Sequence, residues 1–518
     1  MVHKKCHFMQ NGGTINPPMT KTAGGLLPVL TIDAEAPTPV FLQLYAGIRE
    51  AILEGNLSAG ARLPSTRSIS AELGVSRNTV LNAFEQLIAE GYLQGRIGSG
   101  TRVTEAIPEE FLRFAKVRAS RKKPLENQKR RSKRIQALSS VPVRISPIGG
   151  GNARPFRVGT PALSEFPLAL WQRVQSRCMA KIRSAVLDYG DSLGHPSLRS
   201  AIAEYVKTAR GVNCTPEQVV ITTGSQQGID LLARVLLNEG DPVWMEDPGY
   251  LGARGALVAS GAKILPVPMD DEGMRVDSGI RMHGKAHLIY VSPSHQLPLG
   301  VTMSLPRRLE LLHWAARNKV WILEDDYDSE FRYSQRPLCS LQGLDENERV
   351  LYMGTFSKVL FPGLRLGYLV VPSNLLEEIR SVQHFTIGHP PIQPQLTLAE
   401  FMKAGHFDRH IRRMRVLYRE RQEILIDAAR AQLRGVLDVV PCDTGMHVVG
   451  WLPAGITDVQ ASLSAARAGI EAIPLSVFYV RRSVRHALLL GYAAFDKKKI
   501  EEGVGKLRAA ILSSSASP

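Results

Sequence analysis

The sequence predicts an α/β protein in which a small helical region precedes a large domain with a mainly parallel sheet. The chain has 518 residues, enough for two to four domains. Its first third is basic, with 21 lysines and arginines against 11 acidic residues in residues 1–150, whereas the remainder is nearly neutral. From about residue 153, short apolar runs alternate with amphipathic helical stripes, which is typical of a parallel sheet with crossover helices.

The composition excludes several classes of protein. Hydrophobic residues make up 44% of the chain and charged residues 22%, as in ordinary globular domains. No stretch approaches the roughly 18 apolar residues of a membrane span, and no apolar segment follows the early lysines, as a secretory signal would require. The five cysteines are scattered and lack CxxC spacing, which argues against a disulfide framework or a metal site. We therefore expect a cytoplasmic protein without a bound metal.

The N-terminal region divides into a tail and a first helix. Residues 1–36 contain NGG, NPP and scattered prolines without apolar periodicity, and we interpret them as a disordered tail. A helix that ends near Gly55 should follow, because four apolar residues recur at helical spacing. These residues are Phe41, Leu44, Ile48 and Ile52.

Two further helices and a hairpin complete a domain over residues 37–104. The second helix should run from about Ser65 to Leu73, and after a tight turn Ser76 is a suitable N-cap for the third. The third helix should bury Val80, Phe84, Leu87 and Ile88. The segment YLQGRIGSGTRV then alternates and carries glycines, as a two-stranded hairpin does. The pattern indicates a helix-turn-helix, although a small helical bundle fits the spacing equally well.

The motifs of this region resemble the winged helix-turn-helix of GntR-family bacterial repressors over residues 38–104. The LPSxR opening, the GVSRxTV turn, the EGYL exit and the GxG wing occur in that order. The resemblance implies a double-stranded DNA operator as partner, which a recognition helix reads through donors in the major groove. It implies DNA contacts from Arg67, Arg77 and Thr79, with Ser65, Ser76, Asn78 and wing-tip Gly98 beside them. Leu81 stands where some relatives have another arginine.

Residues 105–152 form a basic linker. Between Arg113 and Arg134 there are eleven lysines and arginines and one acid, Glu126. Such a run is usually a flexible, solvated spacer. Contact with DNA phosphates is the alternative.

The large domain, residues 153–518, places polar residues after its predicted strands. The apolar runs are VVITT (219–223), PVWME (242–246), HLIYVSP (287–293), VWILED (320–325), RVLYMGT (349–355) and LGYLVVP (366–372). Ligands gather at the carboxyl ends of strands in such sheets. There the chain has Gly224-Ser225-Gln226, then an acidic group from Asp325 to Asp328, then Thr355-Phe356-Ser357-Lys358. Each has an ordinary interpretation as a turn, a solvated loop or a surface lysine.

Together these three segments suggest a pyridoxal phosphate site. A lysine can form a Schiff base with the aldehyde, an acid can pair with the ring nitrogen, and small-residue turns with an arginine can hold the phosphate. GTFSKVLFPGLRLGY, LEDDYDSEF, TTGSQQGIDLL, EDPGY and YGDSLGHPSLR resemble motifs of fold-type I aminotransferases. The resemblance implies Lys358 as the Schiff-base lysine, Asp325 at the ring nitrogen, Tyr327 at the ring hydroxyl and Tyr250 stacked on the ring. It also implies phosphate contacts from Ser225, Gln226, Thr355, Ser357 and Arg365, and a homodimer in which Tyr189 reaches across from a second subunit.

The order of the two domains resembles the MocR subfamily of GntR-type regulators. SPSHQLPLG and EDDYDSEF are typical of that group. Two positions depart from ordinary aminotransferases. Leu297 precedes Pro298 where an asparagine is usual, and Arg485 and His486 stand where an arginine for the effector carboxylate is expected.

Three functions remain open at this point. The first is a transcriptional regulator in which an amino compound acts at the cofactor site and alters operator binding. The second is a working aminotransferase with a DNA-binding head, and the third is a sensor of pyridoxal phosphate itself. The departures at Leu297 and at Arg485 and His486 favour a regulator, so we do not expect steady turnover.

Overall fold

The computed structural model describes the chain in two compact units. The described residues are 32–33, 36–96, 100–105, 132–139, 141–142, 154–182, 184–186, 188–333, 339–481 and 485–515. One unit covers Met1–Lys129 and the other Arg130–Pro518. Within the described ranges, no helix is both long and apolar enough to cross a membrane.

The described residues of the smaller unit form three helices and a hairpin. The helices are α1 (Val40–Leu53), α2 (Thr66–Leu73) and α3 (Arg77–Ala89), and the strands are β1 (Leu93–Arg96) and β2 (Gly100–Val103). The strands are antiparallel, with Leu93 opposite Val103. Both predicted N-caps form, since the Ser65 hydroxyl accepts a hydrogen bond from the Ser68 amide and the Ser76 hydroxyl from the Thr79 amide, each at 3.1 Å.

The core of this unit is built by α1 and α3 together with the hairpin. Leu44, Ile48, Val80, Phe84 and Leu87 are buried, as their spacing predicts. The prediction for Ile88 is wrong, because its side chain is 41% exposed. Adjacent residues of a helix are about 100° apart, so burial of Leu87 turns its neighbour toward the edge of the stripe.

The larger unit alternates strands and helices. Its helices are α4 (Lys133–Leu138), α5 (Leu168–Ala180), α6 (Pro196–Arg210), α7 (Ser225–Leu236), α8 (Leu251–Ser260), α9 (Val276–His283), α10 (Leu305–Asn318), α11 (Leu341–Leu344), α12 (Phe356–Val359), α13 (Leu376–Ile387), α14 (Ile392–Lys403), α15 (His406–Gln432), α16 (Asp458–Arg467) and α17 (Lys497–Ser515). Its strands are β3 (Val219–Thr222), β4 (Pro242–Asp247), β5 (Lys263–Asp270), β6 (Gly273–Met274), β7 (Leu288–Val291), β8 (Trp321–Asp326), β9 (Val350–Thr355), β10 (Gly367–Val370), β11 (Asp438–Val440), β12 (His447–Trp451), β13 (Ile473–Pro474) and β14 (Ala487–Gly491).

Eight of these strands form the central sheet, in the order β3-β10-β9-β8-β7-β4-β5-β6. The neighbours from β9 to β5 are parallel, whereas β10 runs antiparallel to both β3 and β9, and β6 antiparallel to β5. The prediction of an α/β fold with a mainly parallel sheet is confirmed. Strands β8 and β9 are adjacent and parallel, so the acidic residues after β8 and the lysine after β9 leave the sheet at the same edge.

A second, smaller sheet of four antiparallel strands has the order β11-β12-β14-β13. Helices α15, α16 and α17 contribute to the apolar cluster beneath it, through residues such as Leu425, Ala461 and Leu507. This region supplies the start of β12, with His447, to the site described below.

Part of the segment expected to be a linker belongs to the larger unit. Helix α4 begins after Ser132, whose hydroxyl accepts a hydrogen bond from the Arg134 amide. Leu138 lies against α8, with its Cδ1 3.8 Å from the point where a Cβ on Gly255 would stand. Val141 is buried at 8% exposure. The folded unit therefore starts earlier than the boundary at residue 153 that the sequence suggested.

Candidate functional site

A phosphate-sized cradle lies where β3 meets α7. Gly224 precedes the helix, so the first amides of α7 point out of its N-terminus with no intrahelical partner of their own. The Arg365 guanidinium approaches this turn, with its Nη1 3.6 Å from the position of a Cβ on Gly224. A helix N-terminus beside a guanidinium favours an anion.

Lys358 stands in the first turn after β9. The hydroxyl of Thr355 caps this turn by accepting a hydrogen bond from the Ser357 amide at 3.2 Å. The Lys358 side chain is half-buried, and its Nζ donates to the carbonyl oxygen of Gly159 at 2.9 Å. The turn fixes the amine at the carboxyl edge of the sheet, where it faces the end of β8.

Asp325 lies near the carboxyl end of the buried strand β8, with one oxygen hydrogen-bonded and the other without a partner. The Tyr290 hydroxyl donates to Asp325 Oδ2 at 2.5 Å, while Oδ1 is buried and has no hydrogen-bond partner among the described residues. Burial raises the pKa of Asp325 to about 7. A buried acceptor of this kind fits a protonated ring nitrogen, which would supply both the missing hydrogen bond and a compensating positive charge.

Tyr250 closes the site from the side of α8. It precedes the helix, its hydroxyl accepts a hydrogen bond from Gln226 Nε2 at 3.2 Å, and burial raises its pKa. The contact links the start of α8 to the start of α7. An aromatic side chain held in this way can cover one face of a planar ring.

A buried polar network lies beside Tyr327. The Tyr327 hydroxyl is 3.1 Å from His295 Nδ1, and the same nitrogen is 2.9 and 3.0 Å from the two oxygens of Asp328. Burial alone would lower the pKa of His295, but the adjacent Asp328 carboxylate raises it to about 10. His447 lies next to His295, with ring centroids 5.0 Å apart, and burial lowers the pKa of His447 to about 3. The first histidine is charged at neutral pH and the second is neutral.

A cavity of about 720 Å³ lies between these elements, and His295 stays behind its wall. Nine residues predicted from the sequence meet there: Ser225, Gln226, Tyr250, Asp325, Tyr327, Thr355, Ser357, Lys358 and Arg365. Tyr189 is not among the lining residues; it is 91% exposed, with its ring 6.1 Å from that of His389.

Arg485 and His486, predicted to hold an effector carboxylate, are also not among the residues that line the cavity. The Arg485 guanidinium lies over the ring of Trp451, 3.9 Å from its centroid. His486 Nδ1 is 3.0 Å from the buried Asp458 carboxylate. The described part of the chain therefore engages both side chains in contacts outside the cavity.

Several lining residues carry no motif of their own. Gly159, Tyr290 and His447 come from separate segments and meet only in the folded chain. Leu297 lines the cavity at the position of the missing asparagine and offers only an apolar surface. Leu138, Val141 and Pro142 enter from the linker segment, which sequence reasoning treated as a spacer.

The arrangement fits pyridoxal phosphate. Arg365 and the α7 N-terminus would hold the phosphate, Asp325 the ring nitrogen and Lys358 the aldehyde carbon. When bound, the cofactor supplies an electron-withdrawing ring that activates amino compounds. The protein contributes the orientation of that ring, since Arg365, Asp325 and Lys358 are held in separate segments that line one cavity.

In the smaller unit, the predicted DNA contacts occupy α2, α3 and their caps. Arg67, Arg77 and Asn78 are exposed, whereas Thr79 is half-buried. The hydroxyls of Ser65 and Ser76 are engaged as helix caps, so their first role is to fix the helix starts. Gly98 lies outside the described residues. The start of α3 thus presents donors of the kind that read base edges and phosphates.

Comparison with known proteins matches both units. Residues 41–103 match the family described as bacterial regulatory proteins of the gntR family, and residues 160–507 match aminotransferase class I and II. The probable rhizopine catabolism regulatory protein MocR of Rhizobium meliloti is 39% identical over 489 residues, covering 94% of this chain and 97% of the relative. The pyridoxine biosynthesis transcriptional regulator PdxR of Corynebacterium glutamicum is 30% identical, covering 93% and 98%.

A solved structure extends the comparison to a bound cofactor. LysN, an α-aminoadipate aminotransferase from Thermus thermophilus, was solved with N-(5'-phosphopyridoxyl)-L-leucine. It superposes with a TM-score of 0.65 at 29% identity, covering 74% of this chain and 96% of LysN. The chain therefore belongs to the MocR-type regulators of the GntR family: it is a DNA-binding transcriptional regulator with an aminotransferase-like domain that binds pyridoxal phosphate.

Proposed function

We propose that this regulator senses a small molecule at the Lys358 cavity and thereby changes its affinity for operator DNA. The effector is an amino compound bound beside the cofactor, or pyridoxal phosphate itself. The observation that carries the proposal is that Leu138, Val141 and Pro142 line the same cavity as Lys358. They end the segment that leads, along the chain, from the helix-turn-helix unit. An occupant of the cavity would touch that segment directly.

The contacts that hold this segment on the larger unit are weak enough for a ligand to shift the equilibrium between its docked and undocked forms. Arg134 donates to Glu239 at 3.1 Å, but both side chains are about half exposed, and such pairs contribute little. The apolar contacts come from Leu138 and Val141 against α8 and the cavity wall. A ligand shifts such an equilibrium by its differential affinity for the docked and undocked forms. A small binding energy therefore suffices.

The cavity chemistry suits an amino compound. Arg365 and the α7 N-terminus take an anionic group, while Asp325 and Asp328 supply negative charge nearby. Arg365 is the one arginine among the described residues that line the cavity, and it already faces the phosphate cradle. The rest of the wall beside Leu297, Ile473 and Phe478 is apolar. These features support an effector with an amine and an apolar part.

An active aminotransferase with a DNA-binding head is the second candidate. The observation in its favour is that Lys358, Asp325 and Tyr327 all line the cavity. Lys358 offers the amine that attaches the cofactor, Asp325 would keep the ring nitrogen protonated, and Tyr327 would contact the ring hydroxyl. The apolar Leu297 and the remote Arg485 weigh against efficient turnover.

We also propose a homodimer that works in the cytoplasm, where its DNA partner lies. Several large apolar side chains of the larger unit are exposed, among them Leu163, Leu168, Tyr189 and Phe385. Exposed apolar surface of this kind is typical of protein–protein contacts. Tyr189 of a partner subunit would then reach the cavity, as the resemblance to fold-type I enzymes implies.

One experiment separates the two candidates. A labelled DNA fragment from upstream of the protein's own gene is titrated with the cofactor-free protein, the pyridoxal phosphate-loaded protein, and the loaded protein with each of a series of amines and amino acids. The same preparations are assayed for keto-acid formation. The proposal predicts a change in Kd without repeated turnover. Turnover on the order of 1 per second with no change in Kd would establish the aminotransferase instead.

A further inference from the structure

His295 is a deeply buried polar group that does not line the cavity. Its side chain is 2% exposed, and it belongs to the turn that runs from Ser292 to Gly300. Glu246 holds this turn: it accepts hydrogen bonds from the Ser292 amide and hydroxyl and from Gln296 Nε2. The Ser294 hydroxyl accepts a further bond from Arg210 at 2.6 Å. The histidine therefore sits on a rigid support.

The surroundings leave room for an imidazole ring and little else. Gly445 has a φ of +85°, and a Cβ there would stand 1.8 Å from His295 Cε1. Gly300, with a φ of +76°, faces the other nitrogen, since its Cβ would stand 3.4 Å from Nε2. Substitution at Gly445 would displace the ring. The site is built around this side chain.

Each nitrogen of the ring has an acceptor. Nδ1 lies between both oxygens of Asp328 and the Tyr327 hydroxyl, while Nε2 is 3.9 Å from Cys442 Sγ. The Cys442 thiol itself donates to the Gly300 carbonyl at 3.5 Å, which leaves its sulfur free to accept. Two N–H groups satisfy this arrangement, and an imidazole carries two only when it is protonated.

We propose that His295 is a positioning residue that sets the direction of the Tyr327 phenol proton. When Nδ1 carries a proton, the Tyr327 oxygen can only accept from it, so the phenol O–H points away from His295 and into the cavity. When Nδ1 lacks a proton, the phenol donates to the histidine instead. Asp328 holds the first arrangement. Tyr327 is thereby a donor toward the ring hydroxyl of the cofactor.

The charged groups around His295 favour this state. On its own turn and the neighbouring elements, the groups that face it are Asp328, Tyr327, Cys442 and His447, with Asp325, Glu246 and Lys358 further along the same network. The Asp328 carboxylate outweighs burial and raises the pKa of His295 to about 10, so the ring stays protonated at neutral pH. His447 does not compete for the charge, because its pKa is lowered.

The inference deepens the proposed function and rests on Lys358 holding the cofactor, and its effect is spectroscopic. A donor to the ring oxygen would stabilise negative charge there and would so lower the pH midpoint of the visible absorbance band of the bound cofactor. Without that donor, the pH midpoint of the visible absorbance band rises. His295→Gln should therefore raise the midpoint by about one pH unit, and Tyr327→Phe should do the same.

The test is a double-mutant cycle read by absorbance between pH 5 and 10. In the Tyr327→Phe background, His295→Gln should shift the midpoint by less than about 0.3 unit, because its route of action is already lost. His287→Gln is the matched control: His287 is an exposed histidine elsewhere in this unit whose Nδ1 lies 2.9 Å from Asp241, and its substitution should leave the midpoint unchanged.

The outcomes are distinguishable. An additive shift in the double variant would overturn the inference, since His295 would then act on the cofactor by charge alone. An unshifted single variant that retains the wild-type circular dichroism would also overturn it. If His295→Gln fails to fold, Asp328→Asn replaces it in the same cycle, with the same expected shift. A wild-type protein with no visible band would instead remove the cofactor site on which the proposed function depends.

Discussion

The predicted DNA contacts of the helix-turn-helix unit are exposed to solvent, whereas the functional side chains at and beside the Lys358 cavity are largely buried. Arg67 and Arg77 are exposed on α2 and α3, and the fold of that unit rests on the apolar residues beneath them. Asp325 and His295 are 4% and 2% exposed, and each is bonded to other buried polar groups. A change at the surface should therefore affect binding alone. A change in the cavity should affect ligand binding and stability together.

Loss of the lysine amine should give the largest effect of all. In Lys358→Ala the attachment point of the cofactor is gone, so we expect complete loss of the visible band and of any effector response. Operator affinity should stay within about twofold of that of the cofactor-free wild-type protein, because the change is a single side chain of the other unit. Borohydride reduction and peptide mapping of the wild-type protein should place the pyridoxyl group on Lys358.

The control for this variant is Lys263→Ala, an exposed lysine at the start of β5 on the opposite edge of the sheet. It should retain both the band and the response. A pyridoxyl group found on another lysine would contradict the assignment of the site.

Loss of an exposed arginine on α2 or α3 should have a large effect on operator binding and none on cofactor binding. Arg67→Ala and Arg77→Ala should each weaken operator binding by about 1–3 kcal/mol if the side chain reads a base, or reduce the salt slope by about one if it contacts a phosphate. The cofactor band should be unchanged in both. Gel-shift titrations at several salt concentrations measure this, with the exposed Arg430→Ala of the larger unit as control. Unchanged affinity in both variants would remove the recognition-helix assignment.

Asp325 should show the double effect expected of a buried charge. The pKa of Asp325 in the folded protein is about 7, above its value in an unfolded chain. Ionisation of Asp325 therefore lowers the free energy of unfolding as pH rises from about 4, and the loss is complete above pH 7. Asp325→Asn should therefore stabilise the cofactor-free protein at pH 8 by up to about 4 kcal/mol, with no gain at pH 4. The same change should weaken cofactor binding, since the ring nitrogen loses its counter-charge.

Thermal unfolding at pH 4 and pH 8, with and without pyridoxal phosphate, measures both the gain in stability and the loss of cofactor binding. Asp326→Asn is the contrasting variant, because Asp326 is paired with Arg210 at 2.6 Å and accepts from the Tyr352 hydroxyl at 2.6 Å. Its loss should destabilise the protein at pH 8. Destabilisation by Asp325→Asn under the same conditions would contradict the account of this charge.

Much of the fold and of the site could be predicted from the sequence, because short local patterns mark helix starts and strand ends. The caps Ser65 and Ser76 mark helix starts, and the residues after β8 and β9 must meet because parallel strands share one edge. This strand geometry was enough to predict that Ser225, Lys358 and the other motif residues would line one cavity.

The remainder depends on contacts between distant segments. His295 and Cys442 are 147 residues apart, and Gly159 reaches Lys358 from 199 residues away. No periodicity or motif encodes such a meeting. The sequence alone suggested that Arg485 could bind a carboxylate, yet its guanidinium lies over the ring of Trp451 at the end of the neighbouring strand β12. Helix α4 could not be predicted, because the basic composition of its segment is also typical of a solvated spacer.

The central claim is that occupancy of the cavity is coupled to DNA binding through the linker segment, and operator affinity measured in matched states tests it most directly. One preparation is titrated with operator DNA as cofactor-free protein, after loading with pyridoxal phosphate, and with added amine, for the wild type and for Val141→Ala. We expect Kd in the wild type to differ by about fivefold or more between two of these states, and Val141→Ala to reduce the difference while retaining the cofactor band. The same Kd in every state of the wild-type protein would contradict this claim.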